Sequence, residues 1–242
     1  MKIVAKTDVG MVRESNQDSY TTGELPNGVA WAVVCDGMGG AAGGNVASST
    51  AVKVIAEQIT SSFRPGMSAN SIKNMMVSAI NAANISVYDI SCSNSELYGM
   101  GTTVVCAIVM EHTAYIAHAG DSRAYIVSHG ALTQLTRDHS VVQELVEHGK
   151  ITALEAKRHP NKNIITRAVG VSREILVDFS EQEMKDGDVL LLCTDGLTNF
   201  VESDEMCDLT KDDMFDEFAE RLVDRANKNG GGDNVTVVAV TY

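Results

Sequence analysis

The feature that most constrains this chain is an apolar run, Val29 to Cys35, that ends abruptly at Asp36 and is followed by glycine at positions 37, 39 and 40. A run of this length that contains valine and tryptophan predicts a buried strand. Glycine lets the backbone turn sharply and approach a ligand closely. Asp36 is therefore expected where the strand leaves the core.

The same pattern of an apolar run beside aspartate and glycine occurs twice more. Val189 to Cys193 leads into Asp195-Gly196, and Gly232-Asp233-Asn234 stands just before the apolar run Val235 to Val240. Hard cations are usually bound by oxygen ligands placed at such strand ends. Three ordinary turns are the alternative, and the matched flanks favour a metal site.

Composition and charge restrict both the domain organisation and the class of function. The 242 residues are 44% apolar with three prolines, and no low-complexity linker divides them, which predicts one domain over residues 1–242. The net charge of −13 argues against nucleic acid and against an anionic membrane surface. No apolar run approaches the roughly 18 residues that a spanning helix needs, and no signal peptide is recognised at the start. We therefore expect no membrane insertion and a cytoplasmic location.

The hydrophobic periodicity predicts an α+β fold in which two sheets are packed against helices. Strands are expected over residues 2–7, 29–35, 104–110, 113–119, 124–127, 189–193 and 235–240, mostly in consecutive hairpins. Helices are expected over Asn45–Ser62, Ala69–Ser91 and about Asp213–Asn227. Residues 138–175 have a more polar, irregular pattern, which predicts a small subdomain or lid inserted between strands.

Aspartates are the candidate catalytic residues, provided that they converge. Two carboxylates about 4 Å apart repel by roughly 4 kcal/mol at an effective dielectric constant near 20, so a cluster stays ionised only with cations. Oxygen-only ligands favour Mg²⁺ or Mn²⁺ over zinc. Arg13 can bind two phosphate oxygens through its planar guanidinium, and this combination suits phosphate ester hydrolysis. The set is Asp18, Asp36, Asp121, Asp195 and Asp233.

Seven motifs in chain order resemble those of the metal-dependent protein phosphatases, the protein phosphatase 2C family, in its short bacterial form. The resemblance covers about residues 7–240. The motifs are Arg13…Gln17-Asp18, Val34-Cys-Asp36-Gly37-Met38-Gly39-Gly40, Gly101-Thr-Thr103, Gly120-Asp121-Ser122-Arg123, Asp138-His139-Ser140, Cys193-Thr-Asp195-Gly196-Leu197 and Gly232-Asp233-Asn234-Val235-Thr236.

The resemblance implies a β-sandwich of two antiparallel sheets flanked by helices, in four α-β-β-α layers, with the metal site at one end. It implies two Mn²⁺ or Mg²⁺ ions and a third, weaker ion. By position, Asp36 and the Gly37 carbonyl, with Asp18 through water, hold the first ion. Asp195 and Asp233 hold the second, and Asp36 bridges the two.

Further roles follow from the same resemblance. Asp121 binds the third ion together with Asp195, and Arg13 binds the substrate phosphate. Residues of about 138–170 form a flap beside the cleft, in which His139 and His159 are candidates for substrate contact. Arg123 is either a structural ion pair or a substrate contact. Met38 stands where many eukaryotic members carry a histidine assigned as general acid, so the group that protonates the leaving oxygen is open.

The implied activity is hydrolysis of phosphoserine and phosphothreonine in proteins, by direct attack of a water that bridges the two ions. The expected partners are phosphoprotein substrates, including a serine/threonine protein kinase, and the chain is expected to be a monomer. Two alternatives stay open: a phosphatase devoted to one partner, such as an anti-sigma-factor antagonist, and a catalytically silent module that binds phosphoproteins. A calcium-binding role is weakest because no Asp-x-Asp-x-Asp-Gly loop is present.

Overall fold

Strands and helices alternate in blocks through the computed structural model, which describes residues 1–210 and 214–242, without the side chains of residues 41 and 42. The strands are β1 (Lys2–Asp8), β2 (Asp18–Leu25), β3 (Val29–Met38), β4 (Gly101–Thr102), β5 (Val104–Met110), β6 (Thr113–Ala119), β7 (Arg123–Ser128), β8 (Ala131–Gln134), β9 (Asp178–Glu183), β10 (Val189–Cys193) and β11 (Val235–Thr241). The helices are α1 (Gly40–Ser62), α2 (Ala69–Ser93), α3 (Val141–Glu147), α4 (Ala153–Ala156), α5 (Asp195–Thr198), α6 (Ser203–Leu209) and α7 (Phe218–Lys228).

The strands form two antiparallel sheets. The first sheet has the order β1-β11-β10-β7-β8, and the second has the order β2-β3-β5-β6-β9 with β4 paired to the end of β3. Helices cover the outer face of each sheet, which gives the four layers that the resemblance implies. The predicted α+β class is therefore confirmed.

Alternation along β3 shows why the chain forms layers. Trp31 and Val33 point toward α1 and α2, whereas Ala32 and Val34 point into the space between the two sheets. Successive side chains of a strand face opposite sides, so a run that is apolar at every position must be covered on both faces. The same holds for β10, where Leu191 faces the helices and its neighbours face the other sheet.

Helix α7 covers the first sheet because its apolar residues recur at helical spacing. Phe218, Leu222 and Val223 are buried, and the helix packs on β1 and β11. Within the described residues, none of the helices combines the length and the hydropathy that a membrane span requires.

Several predicted boundaries change in the structure. Strand β3 continues to Met38 rather than ending at Cys35, because Gly37 and Met38 pair with β4. Helix α1 begins at Gly40 instead of Asn45. Helix α7 begins at Phe218, after a 3-10 turn, and the predicted start at Asp213 lies outside the described residues.

The flap segment, residues 138–170, lies between β8 and β9 and is joined to the sandwich at both ends. The backbone N–H of His139 donates to the Gly120 carbonyl, and Thr166 N–H donates to the His139 carbonyl. At its far end, Val169 forms a bridge with Thr102. The segment therefore has a fixed base, with α3 and α4 between its two ends.

Candidate active site

Strand pairing brings the predicted aspartates to one end of the sandwich. Asp18 lies directly opposite Asp36 in the β2–β3 pairing. Asp195 begins α5 at the end of β10, and Asp233 stands two residues before β11, the strand paired with β10. Asp121 lies in the turn between β6 and β7. Each sheet therefore contributes carboxylates to the same end.

A cleft of about 590 Å³ opens at this end. Its lining contains the predicted ligand residues other than Asp18, together with Arg13, and these are Asp36, Gly37, Asp121, Asp195 and Asp233. Asp18 is buried, with 7% of its surface exposed. The structure thus collects four of the predicted aspartates and Arg13 around the cleft, which Glu14 also lines.

Asp18 is held by two buried threonines. The hydroxyls of Thr194 and Thr236 donate to Asp18 Oδ2 at 2.9 and 2.7 Å. The other oxygen, Oδ1, is buried and has no partner among the described residues. Burial raises the pKa of the Asp18 carboxyl to about 7, and the two threonine hydrogen bonds only partly oppose this shift.

The other carboxylates repel one another. Burial, followed by the charges of Asp18 and Asp195, raises the pKa of Asp36 well above its usual range. Burial and then the charge of Asp195 raise the pKa of Asp121 to about 7. Burial and then Asp233 raise the pKa of Asp195. Ionising all of them at neutral pH requires positive charge in the cleft.

Arg13 supplies part of that charge through Asp233. Its Nη2 donates to Asp233 Oδ2 at 2.8 Å, and 54% of the arginine side chain is exposed to the cleft side and solvent. Asn234 donates its backbone N–H to the other Asp233 oxygen. The side chain of Asn234 instead binds Val9, Ser15 and Gln17, so it fixes the loop between β1 and β2 that carries Arg13.

Two glycines permit the close packing behind the carboxylates. A Cβ at Gly37 would lie 2.1 Å from the Gly44 carbonyl oxygen, and a Cβ at Gly196 would lie 1.9 Å from the Asn234 carbonyl oxygen. Any side chain at these positions would displace backbone. Glycine beside Asp36 and Asp195 is therefore required by contact between chain segments.

The residues of the cleft fit divalent cations. The donors are carboxylate oxygens and the Gly37 carbonyl, which match the hard-cation preferences of Mg²⁺ and Mn²⁺. The unpaired Asp18 Oδ1 and the raised pKa values indicate negative charge that the protein itself does not neutralise. A cation in the cleft would offset this negative charge and favour the ionised form of the carboxyl groups.

Arg123 forms a structural ion pair. Its Nε and Nη2 donate to the Asp138 carboxylate at 2.8 and 2.6 Å, and Nη1 donates to the Tyr125 hydroxyl. The pair links β7 to the first residue of the flap segment. Of the two roles considered for Arg123, the structure favours the structural one.

The prediction that His139 contacts substrate is not supported by its position. The side chain is 1% exposed and does not line the cleft. Gly120 N–H donates to Nδ1 and Nε2 lies 3.1 Å from Asp178 Oδ2, so both ring nitrogens are used. His139 also stacks on His118 at 4.7 Å between ring centroids.

The group His118, His139 and Asp178 also has metal-ligating atoms close together, within 4.8 Å. A cation there would need a lone pair on His139 Nε2, while Nδ1 already uses its lone pair to accept from Gly120. The existing hydrogen bonds therefore make this group a structural anchor of the flap segment. His159 is partly exposed, lines neither the cleft nor the groove next to it, and stays a prediction.

Several supporting residues were not predicted from the sequence. Thr194 and Thr236 lie inside the recognised motifs, so their place in the sequence could have predicted a role beside the carboxylates. Asn199, whose Nδ2 donates to Asp195 Oδ2 at 2.9 Å, directly follows the unpredicted helix α5. Asn163 lines the cleft from the flap segment, and its sequence context carries no signal.

Known proteins resemble this chain over nearly its whole length. The family profile described as Protein phosphatase 2C matches residues 12–236. The serine/threonine phosphatase stp of Listeria monocytogenes is 38% identical over 236 residues, which are 97% of this chain and 93% of that protein.

Solved structures agree with this similarity. The S. agalactiae serine/threonine phosphatase has a TM-score of 0.93 at 33% identity, over 100% of this chain and 99% of that one. The catalytic domain of the serine threonine protein phosphatase PstP, in complex with two manganese ions, has a TM-score of 0.85 at 33% identity, over 98% and 96% of the two chains.

Proposed function

Because the chain belongs to the protein phosphatase 2C family, we propose that its acidic cleft is the active site of a metal-dependent serine/threonine protein phosphatase. The enzyme hydrolyses phosphoserine and phosphothreonine esters of phosphoproteins. The observation that carries the assignment of the site is the convergence of Asp36, Asp121, Asp195 and Asp233 with Arg13 around one cleft.

The metal assignment rests on the same residues. We assign Asp36 and Gly37 to one Mn²⁺ or Mg²⁺ ion, which Asp18 would contact through water. We assign Asp195 and Asp233 to a second ion. Asp121 and Asp195 are assigned to a third, weaker ion. Divalent cations at such a site neutralise phosphate charge and make water a stronger nucleophile at neutral pH.

The protein's own groups have separate roles in this proposal. Arg13 binds non-bridging phosphate oxygens through its guanidinium, which is exposed beside Asp233. Asn199 fixes one oxygen of Asp195, and the two threonines fix one oxygen of Asp18. These contacts hold the carboxylates in place before substrate arrives, which lowers the reorganisation needed during reaction.

The cysteines near the cleft do not replace water as nucleophile. Burial raises the pKa of the Cys193 thiol to about 12 and raises the pKa of Cys35 well above its usual range. Both thiols are fully buried in the core and stay protonated at neutral pH. Direct attack by water is consistent with this environment.

The finer biological assignments are part of the proposal. We propose that a serine/threonine protein kinase is among the phosphoprotein substrates, and that the enzyme acts as a monomer in the cytoplasm. The net charge of −13 supports protein rather than nucleic-acid substrates.

The first experiment measures phosphate release from a phosphothreonine peptide and a phosphotyrosine peptide, each with Mn²⁺ and with excess EDTA. We expect turnover with Mn²⁺ that favours phosphothreonine, and none with EDTA. Asp36→Asn and Asp195→Asn should each lose nearly all turnover while remaining folded. Activity retained in both variants contradicts the metal assignment, and no turnover by folded, metal-binding wild type favours the silent-module alternative.

A further inference from the structure

A second groove runs from the active-site cleft along the flap segment. It has a volume of about 310 Å³ and lies between the flap segment and helices α5 and α6. Asp121, Asn163 and Asp195 line both the groove and the cleft. A peptide whose phosphorylated residue occupies the cleft can therefore continue into the groove.

The chain beside this groove has a charge opposite to that of the whole protein. The stretch between Glu147 and Glu174 contains six of the chain's 19 Lys and Arg residues but only one of its 32 Asp and Glu residues. The rest of the chain is strongly acidic and repels anionic segments at long range. This basic stretch is the place where an anionic segment would be attracted rather than repelled.

Three cationic side chains line the groove, and the described residues already neutralise two of them. Arg123 binds Asp138, and Lys157 Nζ lies 2.5 Å from Glu202 Oε2, across the groove on the α6 side. Lys162 is exposed, and its Nζ has no hydrogen-bonding or ionic partner among the described residues. Within the part of the chain that the structure describes, no carboxylate therefore pairs with the Lys162 ammonium group.

Lys162 also has the right position along the chain. It directly precedes Asn163, which lines the cleft, so its charge lies beside the passage from the phosphate site into the groove. A carboxylate close to the phosphorylated residue of a substrate could approach this lysine. A lysine or arginine there would be repelled by the Lys162 ammonium group instead. The four carboxylates that also line the groove belong to ion pairs or to the predicted metal site: Asp138 and Glu202 in the ion pairs, Asp121 and Asp195 at the metal site.

We propose that Lys162 is a specificity-determining residue that selects phosphoprotein segments with acidic side chains next to the phosphorylated residue. The inference rests on the proposed phosphatase function and adds the class of sequence that the enzyme prefers. The groove then takes an acidic stretch of the substrate. Without a basic site near the cleft, the net charge of −13 would make the enzyme prefer substrates with few acidic residues. A preference for acidic flanking residues therefore indicates a local basic site.

The test compares two phosphothreonine peptides that differ only in their flanking residues, glutamate in one and the neutral isostere glutamine in the other. Wild type with saturating Mn²⁺ should show a kcat/KM about two- to fivefold higher for the glutamate peptide at low salt, the range expected for one exposed charge pair. High salt should reduce this ratio because it screens exposed charges.

Lys162→Gln should bring the ratio of the two kcat/KM values close to one, or below it. Lys150→Gln is the matched control, because Lys150 lies in the same basic stretch, is exposed and does not line the groove. It should preserve the wild-type ratio. Hydrolysis of p-nitrophenyl phosphate, which has no flanking residues, should be equal in all three proteins.

Turnover of either peptide by wild type tests the phosphatase function separately from the preference. The inference is overturned if wild type prefers the glutamine peptide, if Lys162→Gln keeps the wild-type ratio, or if Lys150→Gln lowers the ratio equally.

Discussion

At the scale of single residues, Asp18 shows how much of this site depends on groups outside the cleft. Its carboxylate is nearly buried, and two threonine hydroxyls satisfy only one of its oxygens. Burying a charge that has too few partners is unfavourable. The native fold nevertheless places the Asp18 carboxylate next to the cleft, where its charge can attract a cation.

Arg13 gives a prediction that belongs at this scale. Arg13→Ala should raise KM for a phosphothreonine peptide about tenfold or more, because it removes a charged hydrogen-bond donor to phosphate. Arg13→Lys should fall between wild type and alanine, since the charge remains while the planar pair of donors is lost. Steady-state kinetics with saturating Mn²⁺ measures both.

The control for this prediction is Arg64→Ala, whose guanidinium binds the Ser61 and Phe63 carbonyls at the end of α1. It should leave KM unchanged. An Arg13→Ala enzyme with wild-type kcat and KM would remove Arg13 from the substrate site.

The sequence predicted the carboxylates because aspartate and glycine at strand ends leave a local pattern. The sequence did not predict that the Asn234 side chain holds the β1–β2 loop. The sequence made His139 a candidate for substrate contact, whereas the ring is buried between Gly120 and Asp178. Such contacts depend on residues far apart in the chain, which no local pattern reveals.

At the scale of elements, the predicted strands and helices are those with long apolar periodicity. Strands β2, β4, β8 and β9 and helices α5 and α6 were not predicted. Strand β9 has the sequence DFSEQE, at the edge of its sheet, and it is only partly buried. Backbone hydrogen bonds to β6 hold this segment as a strand, so the hydrophobicity of its side chains does not predict one.

The ion pair between Arg123 and Asp138 connects β7 with the flap segment and gives the second prediction. Arg123→Met should lower the melting temperature by about 6–12 °C, because removing one member of a largely buried pair costs about 3 kcal/mol. Arg123→Met/Asp138→Asn should recover part of the loss, since the unpaired carboxylate is gone. Thermal unfolding followed by circular dichroism measures both.

Arg137→Met provides the comparison, because the Arg137–Glu147 pair is exposed in the same region. Its melting temperature should be close to that of wild type. If the melting temperature of Arg123→Met is also close to that of wild type, the proposed anchoring of the flap segment by the Arg123–Asp138 pair is wrong.

At the scale of the whole molecule, both sheets contribute carboxylates to one end of the sandwich. The pKa of Asp18 in the folded protein is about 7, above the 3.8 of an ordinary aspartate. The folded, metal-free protein therefore binds protons more tightly than the unfolded chain. Stability that is present at acid pH is lost as pH rises through the folded pKa.

We therefore expect EDTA-treated enzyme to melt at a higher temperature near about pH 5.5 than near about pH 7.5. Saturating Mn²⁺ should suppress the decline, because cations stabilise the ionised carboxylates. Asp18→Asn should reduce the decline in EDTA by removing one buried charge, and Asp89→Asn, an exposed aspartate of α2, should not. A melting temperature in EDTA that is constant across this range contradicts the electrostatic description of the cleft.

The place of β11 in the first sheet has a consequence for biosynthesis. This strand lies between β1 and β10, yet it spans Val235–Thr241. Until residues 235–241 have been synthesised, β1 and β10 have no common neighbour, and Asp233 is added only shortly before this strand. The nascent polypeptide therefore cannot assemble its catalytic centre before residue 241 has left the exit tunnel, and until then β1 and β10 each expose an unpaired edge that a molecular chaperone could protect.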